Sequence, residues 1–218
     1  MERECRFSGK NTITTNTANN PFLTRAYNVK SSEDCRALYE EWTENFNDDV
    51  LGEAAPQLVA QAVIAANGRL DGEILDCGCG TGLAGLALFQ QAGAKTIDGS
   101  PKMWKIAEKT TVYPELVPGD LSKRIEKDGA TYDVVTCVGT LTHGHVGPDP
   151  ALKEFIRVTK KGGTVVATIL DDIWKSHGYE AEVERLKEAR KVDVVSAESQ
   201  DYRKAAGVKA RIVVLRKK

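Results

Sequence analysis

Apolar runs of strand length alternate with amphipathic segments along most of the chain. The run Glu73–Cys77 is followed by residues 83–91, whose apolar positions recur at helical spacing. The same alternation predicts strands at 95–97, 115–117, 132–138 and 164–170, and helices at 101–109 and 151–158. Strands that alternate with helices need crossover connections. The pattern therefore predicts an α/β fold with a doubly wound, mainly parallel sheet and helices on both faces.

The two ends of the chain depart from this alternation. Residues 1–30 include an Asn- and Thr-rich stretch without periodicity, which predicts a flexible N-terminal tail. Residues 31–70 carry two predicted helices, which would form a helical cap on a domain spanning 31–218. Near the C-terminus, a helix at 179–189 and strands at 192–195 and 210–215 are predicted. They would complete a seven-stranded, Rossmann-like sheet with an antiparallel C-terminal edge strand.

Composition and charge narrow the classes of function. With 30 basic and 31 acidic residues the chain has no overall field that would attract a phosphate backbone, so no nucleic-acid substrate is expected. The apolar runs are too short to cross a membrane, and the first residues lack a secretory signal, so we expect a cytoplasmic protein. Five scattered cysteines favour reduced thiols, and their spacing predicts no metal site.

A glycine-rich turn follows the first strand of the alternating region. Gly78, Gly80 and Gly82 permit a tight turn that a ligand can approach closely, and the next helix presents unpaired N–H groups there. Doubly wound sheets bind ligands at this edge. Residues 80–85 also fit the G-x-G-x-x-G pattern of dinucleotide-binding enzymes, so the turn alone leaves two interpretations.

Acidic residues near the ends of three successive strands separate these interpretations. Asp76 would lie unfavourably beside a pyrophosphate, but it can accept hydrogen bonds from an ammonium group such as that of S-adenosylmethionine. Asp98 is expected at the end of the second strand, where a carboxylate can bind ribose hydroxyls. Asp120 is expected to close the third strand and to accept an adenine amino proton, with Leu121 packed on the ring. The set favours S-adenosylmethionine as the cofactor.

These segments resemble the motifs of the class I S-adenosylmethionine-dependent methyltransferases. The resemblance is carried by residues 74–82, 98–103 and 119–121. Residues 39–46, 138–146 and 157–163 are most similar to the methyltransferase-like 27 (Williams-Beuren region) group. The resemblance implies an enzyme that moves the methyl group of S-adenosylmethionine to a small molecule by in-line displacement and releases S-adenosylhomocysteine. A monomer or homodimer is expected, with no membrane partner.

The resemblance also implies which residues meet the two substrates. The expected cofactor-binding residues are Tyr39, Trp42, Asp76, Gly78, Cys79, Gly80, Asp98, Ser100, Met103, Asp120, Leu121, Cys137, Val138 and Gly139. The expected acceptor-binding residues are Thr142, His143, His145, Trp174 and Tyr179. His143 is the candidate general base, because imidazole titrates near neutrality. Asp171 and Asp172 are interpreted as solvated or as a helix cap, because neighbouring side chains at a strand end usually point apart.

Two other functions stay open at this point. An NAD-dependent oxidoreductase would bind a nicotinamide cofactor through the same glycine turn. A non-catalytic protein would bind S-adenosylmethionine or S-adenosylhomocysteine without turnover. Short length and near-neutral charge favour a small-molecule acceptor, while the acceptor atom, whether N, O, S or C, is left open.

Overall fold

A computed structural model describes residues 54–94, 96–100, 107, 110–117, 119–144, 146–203 and 207–218, together with residues 25, 38 and 41. For residue 92 and residues 96–100 the description covers the backbone. The predicted tail and most of the predicted helical cap lie outside the described residues, as do the predicted site residues Tyr39, Trp42, Met103 and His145. No helix within the described ranges has the length and apolar character needed to cross a membrane.

Helices and strands alternate in this part of the chain as the sequence pattern predicts, while the predicted helix at 101–109 lies outside the described residues apart from residue 107. The helices are α1 (Ala54–Ala65), α2 (Leu83–Ala92), α3 (Pro148–Val158), α4 (Asp171–Trp174) and α5 (Tyr179–Glu188). The strands are β1 (Glu73–Cys77), β2 (Thr96–Ser100), β3 (Glu115–Leu116), β4 (Tyr132–Leu141), β5 (Thr159–Leu170), β6 (Val192–Arg203) and β7 (Val208–Lys217). Strands β4 to β7 are longer than their apolar runs, because backbone pairing continues through polar residues.

The strands form one sheet in the order β3-β2-β1-β4-β5-β7-β6. The first five strands of this order are parallel to one another. The chain passes from β1 to β2 in one direction along the sheet and from β4 to β5 in the other, so right-handed crossovers place α2 and α3 on opposite faces. Helix α1 packs with α2, and α5 packs with α3. The predicted Rossmann-like arrangement is therefore confirmed.

The last strand lies inside the sheet, which corrects the prediction of an antiparallel C-terminal edge strand. Strand β7 inserts between β5 and β6 and is antiparallel to both. Its central residues Val213, Val214 and Leu215 are almost fully buried, and such a continuous apolar run needs cover on both faces of the sheet. Strand β6 is mostly polar, and most of its residues are partly or fully exposed, so it takes the edge position.

The parallel strands bring several loops to one edge of the sheet. Strands β1, β2, β4 and β5 all end there, and they are neighbours in the sheet order. The glycine turn after β1, the segment after β4 and helix α4 after β5 are consequently side by side. In open α/β sheets this edge, where the strand order reverses, is where ligands bind.

Candidate functional site

The glycine turn joins the buried strand β1 directly to helix α2. Gly78, Gly80 and Gly82 have φ values of 69°, 56° and 92°, in the left-handed region that glycine adopts without steric cost. The Gly82 N–H donates to the Cys79 carbonyl at 2.8 Å, which closes the turn just before the first residue of α2. A glycine-rich sequence places three such residues close together without steric cost.

Gly78 and Gly80 differ in how closely other atoms approach them, and this difference indicates which side of the turn is open. A Cβ on Gly78 would lie 2.3 Å from Thr140 Oγ1, at the end of β4. Among the described residues, the nearest atom to a Cβ on Gly80, apart from its chain neighbours, is the Gly78 carbonyl oxygen at 3.9 Å. Gly78 is therefore packed against β4, whereas a Cβ on Gly80 would make no close contact with the described residues.

Asp76 lies beneath the turn and is fully buried. The Thr136 hydroxyl donates to its Oδ1 at 3.0 Å and the Tyr113 hydroxyl to its Oδ2 at 2.8 Å. Burial raises the pKa of Asp76 to about 6, while these two hydrogen bonds limit the increase. The carboxylate has no exposed surface in this arrangement. It therefore supports the turn from inside the protein, through its hydrogen bonds.

Tyr113 is a site residue that the sequence analysis missed. Its hydroxyl accepts the Gly85 N–H at 3.1 Å and donates to Asp76, so it joins the start of α2 to the end of β1. A Cβ on Gly85 would lie 2.3 Å from this hydroxyl. Gly85, the last glycine of the G-x-G-x-x-G pattern, thus makes room for Tyr113. An isolated tyrosine before β3 carries no sequence pattern that would have indicated this role.

The second acidic residue does not lie where its sequence position predicted. Asp98 is the third residue of β2 and is paired with Leu75, because the strand continues to Ser100 beside Cys77. The predicted position at the end of the strand is therefore wrong by two residues, since backbone pairing does not stop at the acidic residue. The description of Asp98 and Ser100 covers the backbone.

Asp120 begins a turn instead of closing the third strand. Strand β3 already ends at Leu116, and the Asp120 carboxylate accepts the Ser122 N–H at 3.0 Å and the Ser122 hydroxyl at 2.6 Å. The hydrogen bond from the Ser122 hydroxyl is the main reason that the pKa of Asp120 is lowered. Leu121, which follows it, is buried in the core cluster.

Strand β4 is irregular where it reaches the edge of the sheet. Cys137 pairs with Ala167 and Leu141 with Ile169, so the segment between them carries extra residues. Gly139 has a φ of 72° there, and its N–H donates to Thr168 Oγ1 at 2.9 Å. Val138 is buried, and Gly139 is partly exposed at this bulge. The irregularity directs the residues after Cys137 towards the glycine turn.

Three cysteines surround Asp76 without nucleophilic character. Cys77, Cys79 and Cys137 are free and buried. Burial raises the pKa of all three thiols above the ordinary value, and the charge of Asp76 adds to this effect. They are small packing residues of the turn and of β4.

His143 is paired with a carboxylate that the sequence analysis had interpreted as solvated or as a helix cap. Its Nε2 lies 2.9 Å from Asp172 Oδ2, and its side chain is only 12% exposed. The hydrogen bond with His143 is the main reason that the pKa of Asp172 is lowered. Asp171 does point away, towards Ser199, as expected for neighbouring side chains. Thr142 precedes His143 and is partly exposed.

Trp174 and Tyr179 support the site from the core and offer little surface to an acceptor. Tyr179 is 1% exposed, and its hydroxyl donates to the Val146 carbonyl. Trp174 is 5% exposed, and its Nε1 donates to Glu180 at 3.1 Å. Trp174 and Tyr179 were predicted to line the acceptor pocket. Both side chains are buried in this structure, because α4 and α5 turn their apolar sides inwards.

Known proteins share both sequence and fold with this chain. Residues 74–163 match a family model described as a methyltransferase domain. A demethylmenaquinone methyltransferase of Streptomyces avermitilis is 32% identical over 149 residues, which are 66% of this chain and 63% of that protein. A ubiquinone biosynthesis O-methyltransferase of Aliivibrio fischeri is 30% identical over 119 residues, 51% of this chain and 50% of that protein. The chain thus spans between half and two thirds of these relatives.

Solved structures with the same fold extend the comparison to most of the chain. A magnesium protoporphyrin IX methyltransferase from Synechocystis with bound S-adenosylmethionine has a TM-score of 0.59 at 19% identity, covering 95% of this chain and 100% of that one. A TehB-like S-adenosylmethionine-dependent methyltransferase from Corynebacterium glutamicum has a TM-score of 0.60 at 21% identity, covering 84% and 99%. Residues 74–163 are thus similar to a methyltransferase domain, and the likeness to solved structures shows the Rossmann-like fold.

Proposed function

We propose that this protein is an S-adenosylmethionine-dependent methyltransferase that methylates a small molecule and releases S-adenosylhomocysteine. The family match of residues 74–163 supports this function, as does the likeness to methyltransferase structures that hold S-adenosylmethionine or S-adenosylhomocysteine. The geometry that carries the proposal is the open side of the glycine turn at Gly80, at the edge where the parallel strands end.

The residues at this edge fit such a cofactor. Gly78, Cys79 and Gly80 would contact its amino-acid part through their backbone, because a side chain on Gly80 would enter the open space. Asp76 would favour the ammonium group through its charge and through the shape that it gives the turn, since the carboxylate is enclosed by Tyr113 and Thr136. When bound, the cofactor supplies a methyl group activated by a sulfonium.

Other predicted contacts remain part of the proposal. Asp98 and Ser100 would bind the ribose, Asp120 and Leu121 the adenine, and residues 137–139 the reactive end of the cofactor. Tyr39, Trp42 and Met103 would cover it. The likeness of residues 39–46, 138–146 and 157–163 to the methyltransferase-like 27 group belongs to the proposal as well.

The protein's own contribution to the reaction is mainly positional. Thr142, His143 and His145 follow β4 and would hold the acceptor against the methyl group, and His143 would remove a proton where the acceptor carries one. Orientation of two reactants in this way lowers a barrier by about 7–11 kcal/mol. The names of the relatives, which refer to demethylmenaquinone, ubiquinone biosynthesis and a porphyrin, support a small-molecule acceptor.

Gly85 weighs against the dinucleotide interpretation of the turn. In dinucleotide-binding folds the last glycine of the pattern allows close packing of helix and strand. Here the space beside Gly85 holds the Tyr113 hydroxyl, which bonds to Asp76. A buried carboxylate at this position favours a cationic ligand group over a pyrophosphate.

The binding of the cofactor can be tested by calorimetry with S-adenosylmethionine, S-adenosylhomocysteine and NAD. We expect the first two to bind and Gly80→Asn to weaken both by at least about tenfold, equivalent to about 1.4 kcal/mol, because the new side chain enters the open space. Asparagine tolerates the left-handed backbone, so the variant should fold.

Gly93→Asn is the matched control for this test. Gly93 ends α2 with a φ of 65°, and within the described part of the chain no atom lies within 4 Å of a Cβ placed there. Its substitution should leave the affinity unchanged. Binding of NAD alone, or equal loss of affinity in both variants, would overturn the proposed site.

A further inference from the structure

We propose that the edge of the sheet opposite the glycine turn docks this protein on an anionic lipid surface. Cations gather at this edge where β5 and β6 begin and β7 ends, and exposed apolar side chains border them at the ends of α1 and α2. The inference concerns a surface separate from the proposed cofactor site, and it does not depend on the proposed function.

The cations come from three strands that are neighbours in the sheet. Strand β7 lies between β5 and β6, and its last residue Lys217 pairs with Val192 at the start of β6. The segments 157–163, 187–193 and 216–218, which contain these strand ends, hold nine basic and two acidic residues. The whole chain holds 30 and 31. The balanced total therefore conceals a strongly basic surface, which we call the basic edge.

Part of the charge of the basic edge is used within the protein. Six of the nine cations have protein partners: Arg157, Lys160, Lys187 and Lys218 bind carboxylates, and Arg216 and Lys217 donate to backbone carbonyls. The other three, Lys161, Arg190 and Lys191, are exposed and form no ion pair with a described residue. These three cations are the ones that the fold leaves available to a partner.

The basic edge brings like charges together in spite of their repulsion. Burial is the main reason that the pKa of Lys217 is lowered, and the charges of Arg157 and Lys191 lower it further. Neighbouring positive charge thus disfavours the protonated form of this lysine. An arrangement that works against the stability of the free protein is expected where function requires it. A partner of opposite charge would relieve this repulsion.

Two exposed apolar side chains lie at the same edge. Ile64, in the last turn of α1, is 44% exposed, and Phe89, in the last turn of α2, is 51% exposed. Both helices end at this edge because β1 and β2, which follow them, begin there. Arg216 donates to the Gly162 carbonyl at 3.0 Å and also to the Ala66 carbonyl. It therefore joins the start of β5 to the end of α1, beside Ile64.

This combination fits an anionic bilayer better than a nucleic acid. A bilayer offers negative headgroups to cations and an apolar layer beneath them to side chains such as Ile64 and Phe89. Single-stranded nucleic acids stack successive bases on several aromatic rings. Phe89 is the only exposed Phe, Trp or Tyr in the described part of the chain. Such a contact is peripheral and needs no spanning helix, and it departs from the sequence-based expectation of no membrane partner.

Cosedimentation with lipid vesicles tests the proposal. The native protein should bind mixed vesicles, made of equal parts of phosphatidylcholine and phosphatidylserine. It should bind much less to phosphatidylcholine alone, and salt should weaken its binding to the mixed vesicles. The double variant Lys161→Glu with Lys191→Glu should lose at least about tenfold in affinity, since one basic residue near an anionic surface contributes roughly fivefold. Both lysines are exposed, so the variant should keep the native unfolding temperature.

Lys153→Glu with Lys209→Glu is the matched control, because it changes the net charge by the same amount. Both lysines are exposed and lie outside the basic edge, on α3 and near the start of β7. This control should bind the mixed vesicles as tightly as the native protein does. Equal losses in the two double variants would mean attraction by net charge alone and would overturn the proposal.

The kind of partner is tested with a further variant and a competing ligand. Phe89→Ser should weaken binding to the mixed vesicles severalfold with little change in stability, because this side chain is already exposed. Tighter binding to single-stranded poly(U) RNA than to the mixed vesicles, lost in Lys161→Glu with Lys191→Glu, would identify a nucleic-acid surface and refute the proposal. So would equal binding to both kinds of vesicle, or no binding to the mixed vesicles at low salt.

Cofactor affinity keeps this inference separate from the proposed function. Calorimetry with S-adenosylhomocysteine should give equal affinity for the native protein and for Lys161→Glu with Lys191→Glu, because the two surfaces lie at opposite edges of the sheet. A lower affinity in this variant would mean that the substitutions disturb the fold and that the loss of vesicle binding does not support the basic edge. Failure of the native protein to bind the cofactor would contradict the proposed function alone.

Discussion

Asp76 shows how a single buried charge is tied to the conformation of the turn. Both of its oxygens accept hydroxyl hydrogen bonds, from Thr136 on β4 and from Tyr113 before β3. The carboxylate therefore connects three parts of the sheet edge beneath the glycines. Sequence analysis selected Asp76 to accept hydrogen bonds from a ligand's ammonium group, directly or through water. The structure adds a structural role, because the side chain points inward.

The burial of Asp76 predicts a pH dependence of stability. Its pKa rises from the ordinary value of 3.8 to about 6 on folding, so the folded state holds the proton more tightly. The stability from this group is complete below about pH 4 and is lost as the pH rises through about 6. A shift of this size corresponds to roughly 3 kcal/mol. Between pH 4 and 7, Asp76→Asn should gain up to this amount in unfolding free energy relative to the native protein.

Denaturant titrations across this pH range measure the unfolding free energy of Asp76→Asn and of the native protein. Asp133→Asn is a control for which the expected pH dependence has the opposite sign. Burial acts to raise the pKa of Asp133, but Lys160, the Glu73 N–H and Arg69 together lower it. Its stabilising contribution is therefore present above its unfolded pKa and lost as the pH falls. A constant difference between Asp76→Asn and the native protein across the pH range would contradict the prediction.

Tyr113 predicts a linked loss of stability and cofactor affinity. In Tyr113→Phe, the buried Asp76 carboxylate loses one donor and the Gly85 N–H loses its acceptor, which should cost about 1–3 kcal/mol. Because the start of α2 is then less firmly fixed, S-adenosylhomocysteine should bind more weakly. Thermal unfolding and calorimetry on the same samples measure both effects.

Tyr179→Phe is the comparison for this prediction. It removes a buried hydroxyl that donates to the Val146 carbonyl, which is not part of the glycine turn. A similar loss of stability with unchanged affinity for S-adenosylhomocysteine is expected. If both variants bind equally well, Tyr113 is only a packing residue.

At the scale of elements, the order of strands in the sheet decides which apolar runs are buried. Strand β7 comes last in the chain but is covered on both sides, while β6 forms the edge. The apolar run of β7 therefore contributes more to stability than its terminal position suggests. The alternating polar pattern of β6 is typical of an edge strand with one solvated face.

This difference predicts unequal costs for two similar truncations. Leu215 in β7 is 1% exposed, and Leu215→Ala should lower the unfolding free energy by about 2–5 kcal/mol because it leaves a cavity. Val195 in β6 is 52% exposed, and Val195→Ala should cost less than about 0.5 kcal/mol. Chemical denaturation of both variants measures the costs. Comparable losses would mean that β7 does not form the interior strand in solution.

For the whole molecule, the edge at which the parallel strands end gathers residues that are distant in the sequence. The glycine turn, Tyr113, the bulge at Gly139, and the His143–Asp172 pair come from four separate segments. Sequence analysis found the turn, Gly139 and His143, because a glycine-rich loop after a strand and a histidine after a later strand are local signals. It missed the partners Tyr113, Thr136 and Asp172, whose contacts span up to 60 residues.

The sequence by itself determined the alternation of strands and helices, the position of the glycine turn and the Rossmann-like class, because these depend on local periodicity and on backbone preferences of glycine. The tertiary structure decided the interior place of β7, the position of Asp98 within β2 and the enclosure of Asp76. These features depend on pairing between strands and on burial by distant residues. Neither the pairing of strands nor burial by distant residues is encoded in the spacing of residues along a single segment.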